Sequence, residues 1–126
     1  MEKTAKKIIS SHFDKVVKSG EWDRAESYGS GTINYYLQYP YIFSEEIIDN
    51  LDKKGLKILD YCCGTGIYSI YPSLKGHSVY GMDFSSNSIS IAKKKSNYHG
   101  VNSNTYFSVM DAEHLTYEDN TFDMIF

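Results

Sequence analysis

The sequence predicts an α/β protein, a doubly wound parallel sheet preceded by helices, and three observations carry that expectation. From residue 56 onward, short apolar runs alternate with helical patterns at the spacing of strand–helix–strand units. Three aspartates, Asp60, Asp83 and Asp111, each stand at the expected carboxyl end of a successive apolar run. Glycines follow the first of them at Gly64 and Gly66, where a strand has to turn sharply into a helix.

The elements follow in order. Residues 7–18 carry Ile8, Ile9, Phe13, Val16 and Val17 at roughly helical spacing, and Gly20 ends that run. The stretch WDRAESYGSGTINYYLQYP predicts a second helix or pair of turns, interrupted near Gly29 and Gly31 and stopped at Pro40. A third helix is expected to start at Ser44, a good N-cap followed by Glu45 and Glu46, and to run to about residue 54 before Gly55. LKILDYC then predicts a first strand and GIYSIYPSLKG a helix kinked at Pro72. HSVYGMD is a second strand, SSNSISIAKKKSNYHG a helix capped by Ser85 or Ser86, NTYFSVMD a third strand, and TFDMIF the start of a fourth.

Strand–helix alternation of this kind builds right-handed crossovers on a parallel sheet, with expected strand order 3-2-1-4. The chain therefore divides into an N-terminal helical cap, 1–54, and the first half of a Rossmann-like domain, 55–126.

Bulk properties narrow the function. A chain of 126 residues, 41% apolar and 15% aromatic, supports one folded core. A net charge of −3 gives no general attraction to nucleic acid or to an anionic membrane. The basic start lacks the apolar stretch of a secretory signal, and no run is long enough to span a bilayer, so a soluble, cytoplasmic protein is expected. Cys62 and Cys63 are adjacent, with no spacing that suggests zinc and no basic neighbour to activate a thiol, and read as two small buried side chains. The scattered histidines have no acid or nucleophile spaced to work with them. Lys93, Lys94 and Lys95 read as a solvated helix face, and INYYLQYPYIF as packing surface.

Ligands in doubly wound sheets bind at the carboxyl ends of the strands. Asp60, Asp83 and Asp111 converge on one such edge, with Gly64 and Gly66 in the first strand-to-helix turn. Asp83 is placed to accept both hydrogen bonds of a ribose diol. Ser69 stands where a dinucleotide fingerprint needs its third glycine, and there is no GxxxxGK[ST] phosphate loop. Asp60 would repel a pyrophosphate but suits the ammonium group of an amino-acid moiety, directly or through water. Carboxylates without a phosphate cradle favour S-adenosyl-L-methionine.

The run ILDYCCGTGIYSIYPSLKGHSVYGMDFSSNSISIAKKK resembles motifs I and II of class I S-adenosylmethionine-dependent methyltransferases. VMDAEHLTYEDNTFDMIF resembles their adenine-contact segment and fourth strand, and WDRAESY is similar to the N-terminal helix of the small-molecule branch, including the ubiquinone/menaquinone-biosynthesis type. The resemblance implies that Asp60, Cys62, Gly64 and Gly66 line the methionine part of the cofactor and that Asp83 binds the ribose. Phe84 would pack on the adenine, Asp111 would accept from its amino group, and the Ala112 backbone would lie beside the ring. The family usually has glycine where this chain has Cys62, which implies looser backbone approach and lower affinity. Tyr28, Tyr35 and Tyr36 are candidates to reach the pocket.

The family's sheet usually has seven strands, the later ones carrying the substrate pocket, so the sequence reads as a truncated, cofactor-binding N-terminal portion with no catalytic residue of its own. The parent would methylate a small molecule, while the apolar edge of strand four would join two copies as a homodimer or swapped assembly. Two rival readings stay open. One is a non-catalytic S-adenosylmethionine-binding or interaction module that keeps the fold; the other, less favoured by the missing third glycine, is a nicotinamide-dependent oxidoreductase.

Overall fold

The computed structural model describes residues 5, 7–9, 11, 12, 15 and 38–126. The positions described within the first expected helix are helical. The second expected helix lies outside the described residues up to residue 37, as do Tyr28, Tyr35 and Tyr36. The remaining elements are α1 (Gln38–Asp49), β1 (Lys57–Tyr61), α2 (Ile67–Leu74), β2 (Ser78–Asp83), α3 (Ser86–Tyr98), β3 (Thr105–Val109) and β4 (Met124–Ile125).

Helix α1 corrects one sequence boundary. It begins at Gln38 and passes through Pro40 and Ser44 instead of starting at Ser44. Pro40 falls in the first turn, where backbone N–H groups have no intrahelical acceptor and proline costs nothing. Ser44 does not cap the helix; its hydroxyl donates back to the Tyr41 carbonyl at 2.8 Å.

The four strands form one parallel sheet in the order β3-β2-β1-β4, as expected. Register assigns Ile58, Asp60, Val79, Gly81, Thr105 and Phe107 to one face and Leu59, Tyr80, Met82 and Tyr106 to the other. Helices α1, α2 and α3 lie on the first face. Ile48 of α1 packs with Ile58 and Val79, Ser69 of α2 bonds Asp60, and Ile89 and Ala92 of α3 pack with Phe107. Right-handed crossovers that progress in one direction must put their helices on one side. The return from β3 to β4 runs the other way, and residues 110–123 cross the opposite face, where Tyr117 and Phe122 meet Tyr80 edge-on at 6.4 and 5.4 Å. Tyr80 also stacks on Tyr106 at 4.7 Å.

The strands are shorter than the sequence patterns that announced them. β3 ends at Val109, two residues before Asp111, and β4 is limited to Met124–Ile125. Asp123 precedes β4 because its carboxylate accepts from the Lys57 N–H at 2.8 Å, anchoring the chain beside the start of β1. Pro72 lies inside α2, near its end.

Helix α3 corrects a second reading. Its buried positions are Ser88, Ile89, Ala92, Lys95 and Ser96, the i, i+1, i+4, i+7, i+8 stripe that faces the sheet. Successive helical residues point about 100° apart, so three consecutive lysines cannot share one face. Lys93 and Lys94 are exposed while Lys95 is wholly buried. The lower end of the sheet is fastened by polar groups. Asn104 donates to the carbonyls of Ser73 and His77 at 2.9 and 2.8 Å, and buried His77 accepts from the Leu56 N–H at 3.3 Å through Nδ1.

Ser85 is the N-cap of α3, with extended backbone and a hydroxyl accepting from the Ser88 N–H at 3.2 Å. Ser85→Ala removes that acceptor and is expected to lower stability by about 1 kcal/mol in urea unfolding. An unchanged midpoint would mean that the cap contributes nothing.

Candidate functional site

The strand order reverses at β1, which has β2 on one side and β4 on the other. The crevice of a doubly wound sheet opens at the carboxyl ends of the strands flanking such a reversal. There β1 passes into α2 through residues 62–66. Three of these five have positive φ, at Cys62 (57°), Gly64 (54°) and Gly66 (78°). Left-handed residues alternating with others coil the backbone tightly and turn its amides inward. Cys62 occupies a conformation that costs a side-chain-bearing residue of order 1 kcal/mol relative to glycine.

That conformation also corrects the reading of the cysteines. Cys63 is buried, but Cys62, at the left-handed start of the loop, is exposed. Burial and the nearby carboxylates of Asp83 and Asp60 push the Cys62 thiol up, and burial pushes the Cys63 thiol further. Neither is activated as a thiolate.

The loop is held from the neighbouring strand. Asp83, the last residue of β2, accepts from the Gly64 N–H at 3.0 Å with Oδ2 and from the Ser85 N–H at 2.9 Å with Oδ1. Cys63 N–H donates to the Met82 carbonyl at 2.8 Å, and Gly66 N–H closes the turn on the Cys63 carbonyl at 2.9 Å. Asp83 itself is half-buried. Each carboxylate oxygen has two lone-pair directions, so both retain capacity for a hydroxyl.

Asp60 sits one residue before the end of β1 and is 4% exposed. Its Oδ2 accepts from the Ser69 hydroxyl at 2.5 Å. Burial lifts its pKa to about 6, opposed by the Ser69 hydrogen bond and reinforced by the negative charge of Asp83. Ser69, which sequence reasoning noticed only as a missing glycine, is thus the side chain that orients Asp60.

The third aspartate joins the same edge through the backbone. Met110 N–H donates to the Asp83 carbonyl at 2.9 Å, and the Tyr61 hydroxyl donates to the Ala112 carbonyl at 3.0 Å. Asp111 follows Met110 and holds its own turn: Oδ1 accepts from the Glu113 N–H at 3.0 Å, and Oδ2 lies 3.3 Å from His114 Nδ1. Phe84, next to Asp83, is half-buried. Asp60, Cys62, Gly64, Gly66, Asp83 and Phe84 therefore cluster at the ends of β1 and β2, with Asp111 and Ala112 tied alongside.

Sequence reasoning missed Gly81 and Phe107. A Cβ on Gly81 would stand 2.5 Å from two atoms of the Phe107 ring, so the ring occupies the space that a β2 side chain would fill. The signal was present as a single glycine interrupting the apolar run of β2.

Comparison with known proteins agrees with this architecture. A family model described as a methyltransferase domain matches residues 58–126. A demethylmenaquinone methyltransferase of Staphylococcus aureus is 40% identical over 76 residues, 58% of this chain and 30% of that protein. The methyltransferase GfsG of Streptomyces halstedii is 28% identical over 123 residues, 96% of this chain and 42% of its own length. The chain thus spans less than half the length of either relative. Among solved structures, the [4+2]-cyclase SpnF superposes with a TM-score of 0.70 at 22% identity, covering 93% of this chain and 47% of that one. An S-adenosylmethionine-dependent methyltransferase from Aquifex aeolicus gives a TM-score of 0.61 at 22% identity, over 89% of this chain and 54% of its own. With more than half of its residues matched and the switch-point loop in place, the chain belongs to the methyltransferase domain family, as the S-adenosylmethionine-dependent class I domain that its motifs resembled.

Proposed function

We propose that this chain is the cofactor-binding portion of a methyltransferase that uses S-adenosyl-L-methionine to methylate a small molecule in the cytoplasm. The observation that carries the reading is Asp83, fixed by two backbone N–H groups at the end of β2 and turned toward the glycine loop with acceptor capacity to spare. A ribose diol suits that carboxylate, and the adenine then lies against Phe84, with Asp111 and the Ala112 backbone along its edge. The methionine end runs over Cys62, Gly64 and Gly66, and its ammonium group complements Asp60.

The sulfonium methyl is reactive without further activation. When bound, S-adenosyl-L-methionine would supply an electrophilic methyl group that leaves a neutral thioether behind on transfer, with its methionine end held by Asp60, Cys62, Gly64 and Gly66. What the protein contributes is proximity and alignment. No residue of this chain is assigned as acid or base. The small-molecule acceptor is supported by the demethylmenaquinone methyltransferase relative. A cytoplasmic site is supported by two free cysteines and by the absence of any helix long and apolar enough to cross a membrane among the described residues.

Titration calorimetry with S-adenosylhomocysteine tests the ribose assignment. Asp83→Asn keeps one oxygen acceptor and is expected to weaken binding by about tenfold, with Asp83→Ala weaker still. Equal affinity in wild type and both variants would overturn it.

Binding also depends on pH with a definite sign. Because the folded-state pKa of Asp60 is raised from 3.8 to about 6, ionising it costs folding free energy above pH 6, a cost absent below pH 3.8. An ammonium group favours the ionised form. Affinity for S-adenosylhomocysteine is therefore expected to be greatest above pH 6 and to fall by up to about tenfold per unit below it. Asp60→Asn removes the ionisation cost and the dependence together, leaving a weak, pH-independent binder. A flat profile in wild type would exclude the pairing.

The outer edge of β4 is assigned to pairing with a second copy. Among the described residues it has no neighbouring strand, and Ile125 is 63% exposed there. Sedimentation should give a concentration-dependent dimer that Ile125→Lys dissolves. A wild-type monomer at high concentration would rule it out.

A further inference from the structure

The loop at residues 62–66 has little side-chain bulk of its own to fix its height above the sheet: Gly64 and Gly66 contribute none, and Cys63 is its one buried side chain. Its support comes from two strands away. Register aligns Asp60, Gly81 and Phe107 in one row across β1, β2 and β3, on the face that carries the helices. The Phe107 side chain leans across β2 through the gap left by Gly81, where an added Cβ would lie 2.5 Å from both Cδ1 and Cε1 of the ring and 3.1 Å from Cys63 Sγ. The far edge of the same ring reaches the loop. A Cβ on Gly66 would be 3.2 Å from Phe107 Cζ, 3.3 Å from Cε1, and 3.0 Å from Ala92 Cβ. Cys63, Ile89, Ala92 and Phe107 close into one buried cluster under the turn.

We propose that Phe107 is a positioning residue for the cofactor, a rigid plinth that sets the height and curvature of residues 63–66 although its ring does not touch the ligand. This rests on the reading of that loop as the S-adenosylmethionine cradle. The glycines at 66 and 81 and the ring at 107 form one steric unit: a methyl group on Gly81 drives into the ring, one on Gly66 crowds the ring and Ala92, and the ring losing its edge leaves the loop unsupported. Aromatic rings suit this task because they are stiff and have few rotamers. Displacing a binding element by a fraction of an ångström is costly when its amides are tied to the neighbouring strand, as those of Cys63 and Gly64 are, so that the loop shifts as a unit.

Three variants and two readouts test the idea. Phe107→Leu keeps an apolar side chain but withdraws the ring edge; Gly81→Ala pushes a methyl group into the ring; the double variant combines the intruding methyl with the smaller side chain. Affinity for S-adenosylhomocysteine is measured by calorimetry under conditions where urea unfolding shows each variant to be fully folded. Each single variant is expected to bind about tenfold more weakly than wild type, and the double variant to recover most of that loss. The second readout needs no ligand. Hydrogen exchange at the Cys63 and Gly66 amides should accelerate by about tenfold in Phe107→Leu, while amides of β1 and β2 such as Leu59 and Val79 hold their wild-type rates. Uniform acceleration across the sheet, or unchanged loop exchange, would overturn the proposal. So would affinities within twofold of wild type in both folded single variants. Failure of wild type itself to bind S-adenosylhomocysteine would instead refute the cofactor reading, while the exchange pattern would still decide whether the ring holds the loop.

Discussion

One hydrogen bond joins the parts of this fold that matter for a ligand: the Gly64 N–H to the Asp83 carboxylate, 3.0 Å long. It links the turn after β1 to the end of β2, nineteen residues apart, and the other oxygen of the same carboxylate holds the amide of Ser85, which caps α3. A charged acceptor serving two backbone donors makes stronger bonds than neutral groups do. One side chain thereby sets where two crossovers begin. Loosening it would free the glycine turn and the start of α3 together, so the carboxylate proposed to meet the ribose is also a structural residue.

The sheet beneath is built so that this end stays open. Helices α1, α2 and α3 cover one face, and residues 110–123 cross the other, leaving the row Asp60–Gly81–Phe107 to support the turn from below. Successive layers answer to each other: a missing side chain at Gly81 admits the ring, the ring carries the loop, and the loop's amides are tied to Met82, Asp83 and its own Cys63 carbonyl. Cys62 opens this loop in the left-handed region with its side chain exposed, while Cys63 beside it joins the buried cluster.

Much of this was legible in the sequence, and the exceptions have physical causes. Strand–helix alternation fixed the sheet order, because right-handed crossovers leave few topologies open. Asp60, Asp83 and the two glycines were legible because strand ends, turns and caps restrict residue types strongly. A serine cap on α3, at Ser85 or Ser86, was legible for the same reason, and Ser85 is the one that caps. Helix α1 was misplaced because proline and serine carry two meanings. Proline stops a helix in one context and sits harmlessly in its first turn in another, while serine can cap a helix or, as Ser44 does, lie within one and bond back to a carbonyl of the preceding turn. Lys95 was misread because a run of like charges hides the 100° step between neighbours, which decides burial more firmly than composition does. The Gly81–Phe107 contact was invisible because it joins residues 26 apart through space that neither residue type specifies alone.

Asp60 shows what such a site costs in stability and what it gains. A carboxyl group 4% exposed, with a raised pKa near 6, burdens the folded protein at neutral pH. An asparagine could accept the same Ser69 hydroxyl without that burden. The carboxylate makes physical sense where a cation arrives to offset it, for a buried charge is costly until paired. A pyrophosphate would worsen the repulsion between Asp60 and Asp83, whereas a ligand that brings an ammonium group and a ribose satisfies both. The electrostatic strain of the free protein and the ligand proposed for it, an ammonium group beside a ribose, are thus complementary in charge.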